Sequence, residues 1–80
     1  MGMYEEEKSL MGKTFIVIRP WKIGRYKMKK GNLLKVVSYG SGITSHYIVF
    51  ENERLSGDRF RTATWMFLNR VERSERSFEQ

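Results

Sequence analysis

Four short runs of apolar and β-branched residues, each broken off by glycine, proline or a polar turn after six or seven residues, confine this chain to a small antiparallel β fold. Residues 14–19, Thr-Phe-Ile-Val-Ile-Arg, read as a strand ended by Pro20, which has no amide hydrogen for a ladder. After a turn at Gly31-Asn32, residues 33–39 alternate. Leu34 and Val36 share one face, and Leu33, Lys35, Val37 and Tyr39 the other, the lysine marking the more exposed side. Tyr39-Gly40-Ser41-Gly42 has the composition of a turn, which predicts a hairpin. Its second arm is residues 46–51, with Ile48 and Phe50 opposed to Tyr47, Val49 and Glu51.

Residues 59–64 form the fourth run, separating Phe60, Thr62 and Thr64 from Arg59, Arg61 and Ala63. Trp65 to Asn69 is a dense apolar cluster, too short for an ordinary helix, and predicts a single 3₁₀ turn. Val71 and Glu72 begin a last short strand. Residues 21–30, with Gly24 and five basic side chains, show no clean period and read as a long excursion between strands. Residues 4–11 could form about two helical turns, a length marginal in water without docking. The last eight residues alternate charge and serine around Phe78 and are expected to be disordered. The division expected is therefore 1–12, a flexible or weakly helical segment; 13–72, a β domain; and 73–80, a disordered tail.

Eighty residues without cysteine allow one small core and no disulfide or thiolate zinc site. A domain this size buries only roughly 60 to 65% of the surface its unfolded chain exposes, so packing must supply nearly all of its stability. No apolar run approaches the ~18 residues of a membrane span, and the first seven residues are acidic where a signal peptide is basic. A cytoplasmic protein with no membrane contact is expected.

Charge is divided along the chain. From Lys8 to Phe50 stand nine lysines and arginines and no aspartate or glutamate, whereas acids precede at Glu5, Glu6 and Glu7 and follow from Glu51 onward. The middle of the chain thus carries more than the whole net charge of +6. Such a run repels itself unless it is spread over a surface or neutralised, and a polyanion is the partner class it implies.

Four or five short strands, a basic excursion after the first and a one-turn helix before the last follow the order of SH3-like small barrels. The segment Lys30-Gly31-Asn32-Leu33-Leu34-Lys35-Val36-Val37-Ser38-Tyr39-Gly40 resembles the opening strand of KOW and Tudor-type members of that group. Thr44-Ser45-His46 stands where KOW motifs carry a further glycine. This resemblance implies a binding module that meets nucleic acid or another protein through loops on one rim. Small size and a basic, aromatic-rich composition are also similar to host-directed proteins of bacteriophages, which implies the host cytoplasm as location.

Catalytic groups do not convene in the sequence. His46, the only histidine, has no cysteine or local acid to orient it and reads as structural. Glu5-Glu6-Glu7 reads as a solubilising end, not a metal site. Gly40-Ser41-Gly42 lacks the lysine and the helix of a phosphate-binding loop. No enzymatic activity, cofactor or metal is expected.

The excursion is the candidate site. Arg19, Lys22, Arg25, Lys27, Lys29 and Lys30 would neutralise phosphates, while Trp21 and Tyr26 would either stack on bases or cover the barrel mouth. Lys35 extends the basic set. Arg59 and Arg61 project from one face and would form a second stripe, or else pair with Glu51 or Glu53. Tyr39, Trp65 and Phe67 are candidate anchors for a protein partner or a homodimer, since four apolar residues in one turn cannot all point inward. The expected function is nucleic-acid binding with little sequence preference, duplex DNA before RNA. The alternative is a small viral or regulatory protein that inhibits or redirects an acidic host protein.

Overall fold

Alternation places Phe15 and Val17 on the buried side of β1 (Thr14–Val17), which runs between two antiparallel neighbours, β4 (Leu33–Ser41) and β7 (Val71–Ser74). In the computed structural model, which describes residues 3–78, β4 pairs in turn with β5 (His46–Asn52), and β5 with β6 (Phe60–Ala63). The order β6-β5-β4-β1-β7 makes one antiparallel sheet of five strands that curls into a half-barrel. Among the described residues no helix is long and apolar enough to cross a membrane.

The excursion after β1 is itself structured. Trp21–Ile23 and Tyr26–Met28 form a separate two-stranded hairpin, β2 and β3, closed by the two-residue loop Gly24-Arg25. Gly24 has φ +60° and Arg25 has no positive φ, which is the pattern of a type II′ turn whose twist suits a hairpin. Trp21 and Met28 stand opposite each other in register and are both buried. Trp-Lys-Ile and Tyr-Lys-Met are thus two short alternating arms, with the lysines outward.

Two further departures from the expected layout follow from local geometry. The strand expected to stop at Tyr39 continues through Gly40 and Ser41, so the turn falls at residues 42–45, where the Gly42 amide donates to the Ser45 carbonyl at 2.8 Å. A bulge between Val36 and Ser38 also resets the alternation of β4. Beyond it Tyr39 pairs with inward-facing Ile48, so Tyr39 lies on the core face, opposite to the side an unbroken period of two assigns it.

After β6 the chain forms α2 (Thr64–Arg70), a seven-residue α-helix where a 3₁₀ turn was expected. At about 100° per residue the α-helical period sets positions 65 and 67 on opposite sides. Phe67 accordingly points inward, fully buried, and Trp65 outward with 62% of its surface exposed. β7 then returns along β1 as far as Ser74, which takes Arg73 and Ser74 out of the expected tail.

The core fills the concave side of the sheet. Phe50 lies 5.2 Å from Phe67, 5.8 Å from Phe60 and 6.2 Å from Trp21 between ring centroids, and Phe15 meets Phe67 edge-on at 5.2 Å. The N-terminal helix α1 (Glu5–Leu10) is docked against this body: Glu7 is buried, and Leu10 packs on the core. Its exit is tied to β4 by reciprocal main-chain bonds, the Gly12 amide to the Val36 carbonyl at 2.9 Å and the Val36 amide to the Lys13 carbonyl at 3.1 Å. Positions 1–2 and 79–80 of the expected end segments lie outside the described residues.

Replacing Phe67 with alanine should cost about 3 to 5 kcal/mol through the cavity left beside the Phe15 and Phe50 rings, enough to abolish cooperative unfolding in a domain this small. Trp65→Ala should change stability by no more than ~0.5 kcal/mol. Urea denaturation followed by far-ultraviolet circular dichroism distinguishes the two, and equal losses would contradict this assignment of inside and outside.

Candidate nucleic-acid interface

The basic residues of the middle segment divide into groups once the chain is folded. Lys22 and Lys27 face each other across the β2–β3 ladder, both exposed. Directly opposed like charges on neighbouring strands repel, at a cost an anion would remove. Beyond β3 the chain turns at Gly31, which has φ +93°, a left-handed conformation that glycine adopts without strain. The Asn32 side-chain oxygen accepts from the Lys29 amide at 3.0 Å, and the Asn32 amide donates to the Lys29 carbonyl at 3.0 Å, so the turn that carries Lys29 and Lys30 is closed on itself.

This turn forms one wall of an open groove of about 540 Å³. Lys27, Lys29, Lys30, Gly31 and Asn32 line it from one side, and Arg54 and Leu55, from the loop between β5 and β6, line it from the other. Four cations therefore surround one depression, and among the described residues no carboxylate lines it. The ion pairs of His46 with Glu7 and of Arg59 with Glu51 lie elsewhere.

Other residues expected at the site are not part of this groove. Trp21 is core: its ring lies beside Phe50, and its indole N–H has no partner among the described residues, so the side chain contributes apolar area. Tyr26 stands edge-on to Phe60 at 5.2 Å, with the Arg25 guanidinium 5.5 Å above its ring. Trp21 is thus buried in the core, and Tyr26 is half-buried against it, which is the covering role and not the stacking one. Arg19 is bound to the end of α2, its guanidinium donating to the Asn69 carbonyl at 3.2 Å and to the Asn69 side-chain oxygen at 3.1 Å.

The outer face of the sheet takes the rest. Lys35 stands opposite Glu51, and Arg59 donates to the Glu51 carboxylate at 3.3 Å, so one acid lies between two of the expected phosphate contacts. Arg61 covers the Tyr47 ring at 4.9 Å. That ring lies over Gly40 so closely that any β-carbon there would collide with it, which explains glycine in mid-strand. Of the expected partner anchors, Tyr39 and Phe67 pack inward, and Trp65 alone is exposed.

His46 is held by a partner that sequence spacing did not suggest. Its Nδ1 lies 3.4 Å from a carboxylate oxygen of Glu7, thirty-nine positions earlier, and Tyr4 packs over both His46 at 4.5 Å and Tyr39 at 5.2 Å. The run Glu5-Glu6-Glu7 is split by helix geometry, with Glu7 buried and the first two exposed. Burial pushes the Glu7 carboxyl up, but the nearby Thr64 hydroxyl, its own backbone and His46 outweigh it and hold the carboxyl below the ordinary value of 4.5. The Thr64 hydroxyl acts by proximity, making no hydrogen bond of regular geometry. The cluster is a clasp between α1 and the sheet.

Arg54 is the groove residue that the charge pattern passed over, because it follows Glu51 and Glu53 in sequence, outside the acid-free run. Compared with known protein families, curated proteins and solved structures, the chain matches none.

A carboxyl lowered by folding stabilises the protein above its unfolded value, and that contribution vanishes as pH falls through the lowered folded value. Glu7→Gln should therefore lower stability by about 1 kcal/mol at pH 7, and the gap from wild type should close in acid below the ordinary carboxyl value. Urea midpoints at pH 7 and pH 3 check this; a gap of the same size at both would remove the ionised carboxylate from the clasp.

Proposed function

We propose that this protein is a non-enzymatic module that binds the phosphate backbone of nucleic acid, duplex DNA first, through the groove between the β3–β4 turn and the β5–β6 loop. The observation that carries the reading is Lys27, Lys29, Lys30 and Arg54 around one depression that no acid among the described residues lines. Phosphates recover in such a site the counter-charge they lose on shedding condensed cations. Because Trp21 and Tyr26 are committed to the core, backbone contact dominates over base stacking, and sequence preference is weak.

The same reading takes the half-barrel as SH3-like. Supporting it are the strand order β6-β5-β4-β1-β7, the hairpin inserted after the first strand and the short helix before the last. Rim loops are then the working surface.

Trp65 favours a second reading, contact with an acidic protein. A tryptophan 62% exposed on a folded helix is a ready interface anchor.

If the four groove cations each neutralise one phosphate, log K against log salt should fall with a slope of about −3.6 on duplex DNA. Changing Lys27, Lys29 and Lys30 together to glutamine should reduce the slope to about −0.9 and weaken unrelated sequences alike. Fluorescence anisotropy at several salt concentrations measures both, and a wild-type slope near zero would sink the nucleic-acid reading. A partner that copurifies after nuclease treatment with the wild type, and is lost with Trp65→Ala, would establish the second.

A further inference from the structure

The two walls of the basic groove come from chain segments more than twenty residues apart, joined at their base by the Glu53 amide donating to the Leu33 carbonyl at 3.0 Å and, between the side chains, by one buried amide. Asn52, the last residue of β5, is 1% exposed. Its side-chain nitrogen donates to the Asn32 side-chain oxygen at 3.2 Å and lies 3.3 Å from the Met28 sulfur. Its side-chain oxygen accepts from the Arg54 amide at 2.9 Å. The Asn32 oxygen it meets is the one that also accepts from the Lys29 amide. Thus the path from the Lys29 backbone to the Arg54 backbone runs through two asparagine side chains, with no flexible link.

Resting on the proposed function, we propose that Asn52 is a positioning residue, setting the distance between the lysine wall and Arg54 so that the groove accepts phosphates on both sides at once. The chemistry demands an amide. A carboxamide presents a donor to the Asn32 oxygen and, on a separate atom, an acceptor to the Arg54 amide; an ionised carboxylate offers acceptors alone, and a hydrocarbon offers neither. A leucine at 52 would leave the Asn32 oxygen and the Arg54 amide unlinked, and the turn carrying Lys29 and Lys30 would lose its side-chain tie to the opposite loop, keeping only the main-chain bond between Glu53 and Leu33. Arg54 and the lysines would remain on the surface, each free to touch a phosphate, but no longer held at one separation. What is lost is the preorganisation that lets all the contacts form together.

The test is Asn52→Leu, a neutral change that removes both donor and acceptor, with Asn32→Ala as a second variant that removes the shared acceptor from a half-buried position and leaves the Asn52 contact to Arg54 in place. Both are titrated against one 20-base-pair duplex at two or more salt concentrations, well below their own melting temperatures. Near-ultraviolet circular dichroism, reporting the core ring of Trp21, confirms folding. The expected result is an affinity about tenfold weaker at low salt and a slope shallower by roughly 0.9 for each phosphate contact that no longer forms. A merely structural role would lower the melting temperature and leave affinity and slope of the folded variant unchanged, which overturns the proposal. Should Asn52→Leu fail to fold, the affinity and slope of Asn32→Ala decide between the same two outcomes. A wild type that shows no salt-dependent binding overturns the proposed function and this inference together; a wild type that binds beside folded variants that bind equally well overturns this inference alone.

Discussion

Phe50, buried at the middle of β5, touches Trp21 of the hairpin, Phe60 of β6 and Phe67 of α2, so elements from four parts of the chain meet on one ring. An eighty-residue chain without disulfides has few other means of holding a curled sheet closed. Burying one such side chain contributes about 1.5 to 3 kcal/mol, against a total stability of only about 5 to 15 kcal/mol. This concentration of rings decides what is left for the surface. Trp21 and Tyr26 stand in the most basic part of the sequence, yet both are drawn inward, and the lysines between and after them are left as the hairpin's outer face and the adjoining turn.

The division of charge along the chain becomes a division in space by a different route. From the later half, Glu51 receives Arg59 on the outer face of the sheet, opposite Lys35. Glu7, from the other end, is buried against His46 under Tyr4. Neither reaches the groove at Lys27, Lys29, Lys30 and Arg54. The cationic groove is therefore smaller than the acid-free run and differs from it in membership, keeping Lys27, Lys29 and Lys30 of its nine cations and gaining Arg54.

Much of the β organisation was legible because burial on one side of a strand imposes a period of two, as in Ile48 and Phe50 or Phe60 and Thr62. The hairpin was legible too, in principle: Trp-Lys-Ile and Tyr-Lys-Met alternate on either side of Gly24-Arg25, a pattern hidden by its brevity and its three cations. Tyr39 shows where such reading ends. One extra residue in β4 reverses every later side chain, and a bulge has no compositional mark. The docked helix α1 was likewise beyond local pattern, since its stability comes from contacts with β4 and β5 that the six residues do not encode by themselves.

By itself the sequence determined a small antiparallel β protein, its inward strand faces and a middle segment stripped of carboxylates, because alternation and charge are properties of neighbours along a chain. Tertiary structure decided which cations share a site. Arg54 joins the lysines because Asn52 and Asn32 bring the two loops together, and Trp21 leaves them because the core needs its area. Groups many positions apart combine their fields only at the separations folding sets, and no property of either segment alone records that distance.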